Sequence, residues 1–416
     1  MTDSAPPPRA IAWRSFSAAP HRLFLWGGGL YAIVAVGLWT LQQASLYTAA
    51  LPPLLWTVPF PQAHAFMMIY GVLGFFIFGF LLTTFPRWLN DEPVPRRVYV
   101  TAWLLMMAGA HGFWLGLFLG RWVALAAVLA LGLAYAVVIR ALAAILLRTR
   151  AGCSQQVTLL CGLLAGLAGI ALTALSIASG APWAYAAPRW IGLYPFLLLV
   201  VLTVVHRMVP FFTETVSPGL EPQRWGGALP LFAVALLARG ALGYGGVWAW
   251  TWLPDAVLLL TLLREGIGWR FWRASFPPLL LILYLALGWF ALSFALGTVE
   301  SLAVLLGVAS APLFGNAALH ALAVGGFGGL LLGIGTRVSL GHSGGGLATD
   351  RLLAGLFWGY QAVPLARVAP ELLGHWWPQL AVQGFWSGLG WVLVFAVWFA
   401  RVGPVLMRPR VDGRPG

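Results

Sequence analysis

Long apolar runs, each broken by only a few polar residues, recur along the whole of this 416-residue chain. A helix that crosses the ~30 Å hydrocarbon core of a bilayer needs about 20 such residues. Only 8% of the residues are charged, whereas a water-exposed surface needs roughly a quarter. The chain is therefore predicted to be a polytopic membrane protein. Soluble dehydrogenases, nucleic-acid binders and disulfide scaffolds are excluded.

The apolar runs predict an all-α bundle of about twelve transmembrane helices. The predicted spans are Leu23–Leu41, Ala65–Phe85, Val98–Leu119, Trp122–Leu147, Val157–Ile177, Trp190–Val209, Gly227–Tyr244, Leu253–Gly266, Pro277–Leu296, Asn316–Val338, Leu352–Arg367 and Leu380–Val402. The first run is long for a signal-peptide core and no cleavage site follows it, so we read it as a retained helix. Residues 23–403 are then one transmembrane domain, between an N-terminal segment (1–22) and a C-terminal tail (404–416).

The basic residues give this bundle an orientation. All 24 are arginine, and with twelve spans all but four fall on one side of the membrane. The four exceptions are Arg121, Arg189, Arg239 and Arg367. Because arginine is enriched on the cytoplasmic side of membrane proteins, both termini are predicted to be cytoplasmic. The net charge of +13 thus indicates membrane orientation rather than binding to nucleic acid.

Acidic residues are scarce and are predicted to avoid the membrane midplane. Most are expected in cytoplasmic loops: Asp91, Glu92, Glu214, Glu221, Glu265 and Asp350. Asp255 and Glu300 are expected near the outer boundary. A proton- or cation-coupled transporter usually needs a carboxylate within the bundle, so the sequence gives transport little support.

Histidines are the more informative ionisable residues. His64 and His320 are predicted at matched depths near the outer ends of two spans. Neutral imidazole is the usual ligand of haem iron and also suits copper, so opposed histidines at one depth are what a haem held between helices requires. The alternative for each is an interfacial histidine bonded to a carbonyl. His21, His206 and His342 are predicted at the inner side.

Three further patterns carry less chemistry. Gly325, Gly329 and Gly333 recur every fourth residue, on roughly the opposite face from His320, and are predicted to seat a neighbouring helix. The glycine-rich turn that ends at Leu347 lacks the lysine of a phosphate-binding loop, because the chain has no lysine, and a nucleotide site is not favoured. Arg207 is read either as a snorkelling interfacial arginine or as a contact to a haem propionate.

Four segments resemble the NnrS family of haem- and copper-containing membrane proteins that are linked to nitric oxide in bacteria. They are Ala19–Leu25, Ala63–Trp88, Arg207–Thr213 and His320–Gly344. The second segment departs from the family's usual His-Ala-His-Glu-Met, because this chain has Gln62 and Ala65 where the family has a histidine and a glutamate. That departure weakens a copper site in this segment.

The resemblance implies that His21, His64, His320 and His342 occupy the family's histidine positions. We hypothesise that His64 and His320 ligate a haem b towards the outer face, with Arg207 and Arg337 as further cofactor-binding residues. His21, His206 and His342 are hypothesised to form an inner site for copper or a second haem.

The resemblance also implies a multi-pass protein of the bacterial cytoplasmic (inner) membrane. Its expected role is in nitric oxide metabolism or resistance to nitrosative stress, with the lipid bilayer and nitric oxide or nitrosyl species as partners. Whether it is an enzyme stays open, as do its catalytic residues and protein partners. Oxygen reduction is not favoured, because the chain has no adjacent histidine pair. The alternative is a transporter or a protein that traffics metal or haem; a structural partner of a respiratory complex is a third reading.

Overall fold

The computed structural model describes residues 13–47, 51–52, 54–149, 154–181, 183–374, 376–377, 380 and 384–413. In these residues all regular secondary structure is helical, as the apolar runs predict. Arg414, which belongs to the predicted cytoplasmic tail, lies outside the described residues.

The helices follow one another with short connections. They are α1 (Trp13–Phe16), α2 (Pro20–Tyr47), α3 (Phe60–Trp88), α4 (Arg96–Leu119), α5 (Arg121–Thr149), α6 (Ser154–Ser179), α7 (Ala184–Val216), α8 (Ala228–Tyr244), α9 (Trp252–Gly268), α10 (Pro278–Leu305), α11 (Ala317–Gly341), α12 (Arg351–Tyr360), α13 (Ala362–Leu373) and α14 (Gly384–Met407). Two 3-10 turns, Trp248–Trp250 and Phe271–Arg273, lie beside α9.

Nine helices of the described chain are long and apolar enough to cross a membrane: α2 to α7, α10, α11 and α14. The protein is therefore a multi-pass membrane protein. The other three predicted spans fall on the shorter helices α8 and α9 and on the consecutive pair α12 and α13. Many leucines, such as Leu129 and Leu237, remain exposed on the outside of the bundle, which suits contact with lipid tails.

Glycines let several helices pack closely. A Cβ atom placed on Gly109 of α4 would lie 2.6 Å from the backbone nitrogen of Leu131 on α5. On α11, a Cβ at Gly329 would lie 3.0 Å from Ala286 Cβ, and one at Gly333 would lie 2.7 Å from the Leu283 side chain. These last two partners belong to α10, so the prediction that the glycine stripe seats a neighbouring helix is confirmed.

In the described chain, three long helices each contain a π-helical segment: Met67–Val72 in α3, Gly192–Leu198 in α7 and Ala321–Phe327 in α11. A π-helical turn disturbs the regular bonding of backbone carbonyls and often marks a functional site. Tyrosine hydroxyls from neighbouring helices donate to two of these segments: Tyr135 to the carbonyl of Tyr70, and Tyr360 to that of Val324. The widened turns are thus satisfied inside the protein.

The start of α2 lies against the end of α14. Helices α2 and α14 pack along each other, and the Arg22 guanidinium donates hydrogen bonds to the carbonyls of Leu406 and Arg408 at the end of α14. The amide of Val411 then bonds the Ser343 carbonyl, just after α11. Arg22 is 2% exposed, so this predicted cytoplasmic arginine is a buried clamp rather than a free surface charge.

We expect Gly109→Ala to destabilise the protein, because the added methyl group would push the backbones of α4 and α5 apart. Overpacking of this kind typically costs about 1–3 kcal/mol. Gly288→Ala on α10 is the matched control, since a Cβ there has no neighbour within 4 Å. The measurement is the temperature at which detergent-solubilised protein loses its monodisperse elution peak. Equal losses in the two variants would contradict the close approach of α4 and α5.

Candidate functional site

A cavity of about 340 Å³ opens between α2, α3, α7, α11, α13 and α14, and both His64 and His320 line it. We call the end of the bundle that contains it the His64 end. Most of the other lining residues are apolar, and Arg189 and Arg367 provide its positive charges. The structure thus brings together the two histidines that the sequence places at matched depth.

His320 is held by a carboxylate. Its Nδ1 lies 3.0 Å from Oε2 of Glu371, and the other oxygen of Glu371 lies 2.9 Å from the Arg367 guanidinium. A neutral imidazole that donates from Nδ1 to a carboxylate presents Nε2 as its acceptor atom. This is how proteins commonly orient a histidine for a metal, and it makes the ring a stronger ligand.

His64 is held by stacking. Its ring lies on Trp39 of α2, with 4.2 Å between ring centroids and an angle of 19° between the planes. Its Nδ1 is buried and has no hydrogen-bond partner among the described residues. Such an atom is rare in a folded protein and calls for an explanation, and a ligand in the cavity is one.

All three π-helical segments border this cavity. Met68 and Ile69 contribute from α3, Leu193 from α7, and Ala323 and Val324 from α11. In α11 the π-helical segment begins directly after His320, and in α3 it begins three residues after His64. The widened turns therefore shape the wall around both histidines. The residues present fit a haem: two imidazoles, apolar walls, and arginines for its carboxylates.

The second histidine pair lies at the opposite end, which we call the His342 end. The ring centroids of His21 and His342 are 4.5 Å apart. The Arg87 guanidinium donates to Nε2 of His342, and Nδ1 of His342 donates to the Val338 carbonyl, both at 3.0 Å. Nδ1 of His21 is buried without a hydrogen-bond partner in the described chain. His21 lies in the first turn of α2, and His342 directly follows the last residue of α11.

Positive charge surrounds this pair. Burial lowers the pKa of His342, and the guanidinium groups of Arg87, Arg410 and Arg22 lower it further, against the bond to the Val338 carbonyl, which raises it. The His342 imidazole is therefore neutral at physiological pH, which is the form that binds a metal.

The structure places His206 against Glu265 and Trp225 rather than beside His21 and His342. Nε2 of His206 lies 3.4 Å from Oε2 of Glu265 and 3.4 Å from the Trp225 carbonyl. In the described part of the chain, no three or more His, Cys, Asp or Glu side chains are grouped so that they could hold a metal ion. Depth along the membrane placed the three histidines at one level, but it does not fix which way each helix turns its side chain.

Arg207 and Arg337 do not line the cavity of His64 and His320. Arg207 donates to Oε1 of Gln155 at 2.9 Å and lies over the Trp88 ring. Arg337 lies 3.9 Å from the centre of the Phe212 ring. In the cavity itself, the arginines are Arg189 and Arg367, which sequence reasoning assigned only to outer loops.

Sequence reasoning also missed a set of buried acids. Asp255 is 3% exposed, Glu265 1% and Glu300 8%, so their positions near helix ends do not expose these acids to solvent. Glu371 was not singled out, although Arg367 four residues before it is the spacing of a helical ion pair. The ion pair of Asp255 could not be predicted from sequence, because its partner Arg239 lies on another helix.

Comparison with known proteins gives a family and a fold. The family model described as NnrS protein matches residues 15–410. A search of curated proteins returned no match. A cryo-EM structure described as that of a heme-copper terminal oxidase dimer superposes with a TM-score of 0.70 and 13% sequence identity. The match covers 97% of this chain and 85% of that one, and at this identity it shows the fold alone.

Proposed function

The chain belongs to the NnrS family of membrane proteins, and we propose that it binds a haem b at His64 and His320 and acts in nitric oxide metabolism or resistance to nitrosative stress. The observation that carries this proposal is the meeting of His64 and His320 on one largely apolar cavity. The superposition on a heme-copper oxidase supports it at the level of the fold.

The chain's own residues would hold the group in defined ways. His320 would bind through Nε2 while Glu371 keeps its Nδ1 proton in place, and Trp39 would fix the plane of the His64 ring. Arg189 and Arg367, rather than Arg207 and Arg337, are proposed to pair with the haem carboxylates. A haem bound here would supply a one-electron redox centre with affinity for nitric oxide.

An apolar space beside the cavity supports a neutral diatomic ligand. A second cavity of about 60 Å³ shares Leu73, Phe327 and Leu331 with the first and is lined by apolar side chains throughout. Small apolar cavities of this kind stay dry and take up uncharged molecules. Nitric oxide is small and uncharged, so it is suited to such a cavity.

Copper is proposed at His21 and His342, without His206. Imidazole suits copper, and the unpartnered Nδ1 of His21 leaves a donor atom available. Nε2 of His342 would bind the ion in place of its bond to Arg87. Arg22, Arg87 and Arg410 surround the pair, and no anionic ligand of the described residues joins it. Because guanidinium groups repel a cation in a medium of low dielectric, we propose that the ion is monovalent.

The alternative function is transport or metal and haem trafficking. The burial of Asp255 and Glu300 in the structure supports this alternative, because ionisable residues inside a membrane bundle often lie on ion or proton pathways. A haem retained through purification, with a spectrum that responds to nitric oxide, supports the first function. A colourless protein supports the alternative.

The proposed setting is the bacterial inner membrane, with twelve crossings and both termini in the cytoplasm. The nine long helices account for nine crossings. The remaining three are proposed to be α8, α9 and the pair α12–α13. Residues 23–403 then form one transmembrane domain, and 1–22 and 404–416 flank it on the cytoplasmic side.

We expect His64→Ala and His320→Ala each to reduce or shift the Soret absorbance of the purified protein, since each removes a proposed haem ligand. His111→Ala is the matched control, because His111 is a histidine of α4 whose Nδ1 bonds the Met107 carbonyl of its own helix. The control should keep the wild-type spectrum and its response to nitric oxide. Wild-type absorbance in both ligand variants would exclude this haem site.

For the second site, we expect the His21→Ala/His342→Ala double variant to lose copper in metal analysis, because both donors are gone. His206→Ala is the control and should keep the wild-type copper content, since His206 contacts Glu265 instead. Equal copper in the double variant and the wild type would refute a site at this pair.

The topology is tested by reporters fused in two loops and at the end of the chain. A reporter after Gly219 and one after Gly246 should lie on opposite sides of the membrane if α8 crosses it, and one after Arg414 should be cytoplasmic. If the Gly219 and Gly246 fusions report the same side, α8 does not cross. A periplasmic signal after Arg414 would reverse the orientation.

A further inference from the structure

A polar cavity of about 140 Å³ lies at the His64 end, enclosed by α7, α8, α9, α10 and the start of α11. It is lined by Arg189, Tyr194, Arg239, Asp255 and Glu300. A space of this size is enough for several water molecules. In a chain with 8% charged residues, four charged side chains at one membrane-buried cavity are unusual.

Asp255 and Arg239 form a fixed ion pair in this cavity. Nε of Arg239 lies 2.9 Å from each carboxylate oxygen of Asp255. The guanidinium also lies over the rings of Tyr194 and Trp190. Gly297 gives Asp255 its room, because a Cβ there would lie 2.5 Å from Oδ2. The pair therefore holds the Asp255 side chain in place.

Arg239 still has bonding capacity. Its Nη1 is buried and finds no hydrogen-bond partner among the described residues. A buried guanidinium proton without an acceptor is unfavourable, because the group has lost its hydration. Water in the cavity would satisfy it.

Glu300 differs from Asp255 in its partners. Its Oε1 accepts the backbone N–H of Phe314 at 2.7 Å, and it forms no ion pair with a described residue. An ionised carboxylate that is buried without a cation in contact is costly. Glu300 is therefore the carboxyl group of this cavity that has no cation in contact, whereas Asp255 is paired with Arg239.

The cavity adjoins the one that contains His64 and His320. The two share Arg189, Leu193, Asn316 and Leu319 as lining residues. The charged and titratable groups that face Glu300 are Arg239 on α8, Asp255 on α9, Glu371 on α13, and Arg189 and Tyr194 on α7. Among these, Glu371 is the residue that holds His320.

We propose that this cavity is a water-filled proton-exchange site in which Glu300 takes up a proton from the aqueous phase at the His64 end and returns it there. The inference rests on the proposed haem function. If a haem bound at His64 and His320 were reduced by one electron from an external donor, the Glu300 carboxylate would take up one hydronium proton from the aqueous phase and become the neutral acid. Removal of the electron reverses the transfer, so the local charge is conserved.

Charge balance argues against a bound oxoanion as the occupant. While Glu300 is ionised, Arg189 and Arg239 are matched in number by Asp255 and Glu300, so an added anion would meet no excess of positive charge. A neutral polar occupant, which is water, meets the same groups without repulsion.

The test compares Glu300→Gln with Glu92→Gln, an exposed glutamate near the other end of α3. The measurement is the infrared C=O band of a protonated carboxyl group during a pH titration, in both haem-free and haem-containing protein. We expect a titrating band in the wild type and in Glu92→Gln and its loss in Glu300→Gln. Glu300→Asp should restore a shifted band, which separates loss of the group from misfolding.

A second readout is the pH dependence of the haem reduction potential, which should become weaker in Glu300→Gln and stay unchanged in Glu92→Gln. An identical titrating band in Glu300→Gln and the wild type would overturn the proposal, as would nitrate or chloride binding in the cavity without carboxyl titration. A titrating Glu300 in a protein that binds no haem would support the site and refute the haem function. Haem binding without a titrating Glu300 would support the haem function and refute the proton-exchange site.

Discussion

Within a bilayer there is no water to bond a polar atom, so each polar group of this bundle needs a partner inside the protein. The tyrosines show how the structure meets this requirement. Tyr135 and Tyr360 donate to carbonyls of the π-helical segments in α3 and α11, and Tyr31 donates to the Ala110 carbonyl of α4. These bonds allow the helices to widen around the cavity of His64 and His320 without leaving backbone groups unsatisfied. The shape of the site therefore depends on hydrogen bonds formed one helix away from it.

Several buried polar atoms nevertheless have no hydrogen-bond partner among the described residues. Three of them, Nδ1 of His64, Nδ1 of His21 and Nη1 of Arg239, each belong to one of the three sites described above. The sites differ in charge. The cavity of His64 and His320 combines apolar walls with a paired carboxylate, the His342 end is strongly cationic, and the cavity of Glu300 balances two acids with two arginines. Three different ligand chemistries therefore follow from one scaffold.

Much of the helical fold is predictable from sequence, because the length of an apolar run follows directly from transfer of side chains into lipid. The same reasoning places His64 and His320 at one depth and assigns the glycines of α11 to helix packing. It fails where rotation about a helix axis matters: His206 lies at the depth of His21 and His342 but contacts Glu265. It also fails for the ion pair of Asp255 and Arg239, because contacts between two helices cannot be read from hydropathy along the sequence. The π-helical segments have no sequence signature of comparable strength.

The clamp formed by Arg22 has a consequence for biogenesis. Arg22 precedes almost the whole bundle in the order of synthesis, whereas its partners, the carbonyls of Leu406 and Arg408, are among the last groups to be made. Until they emerge, the start of α2 lacks the contacts that bury it, and Val411 cannot bond Ser343 to cover the neighbouring turn. The contacts that cover His21 and His342 from this side therefore form only after the last residues are made. An ion bound at this pair, as proposed above, would have its easiest access before these contacts form.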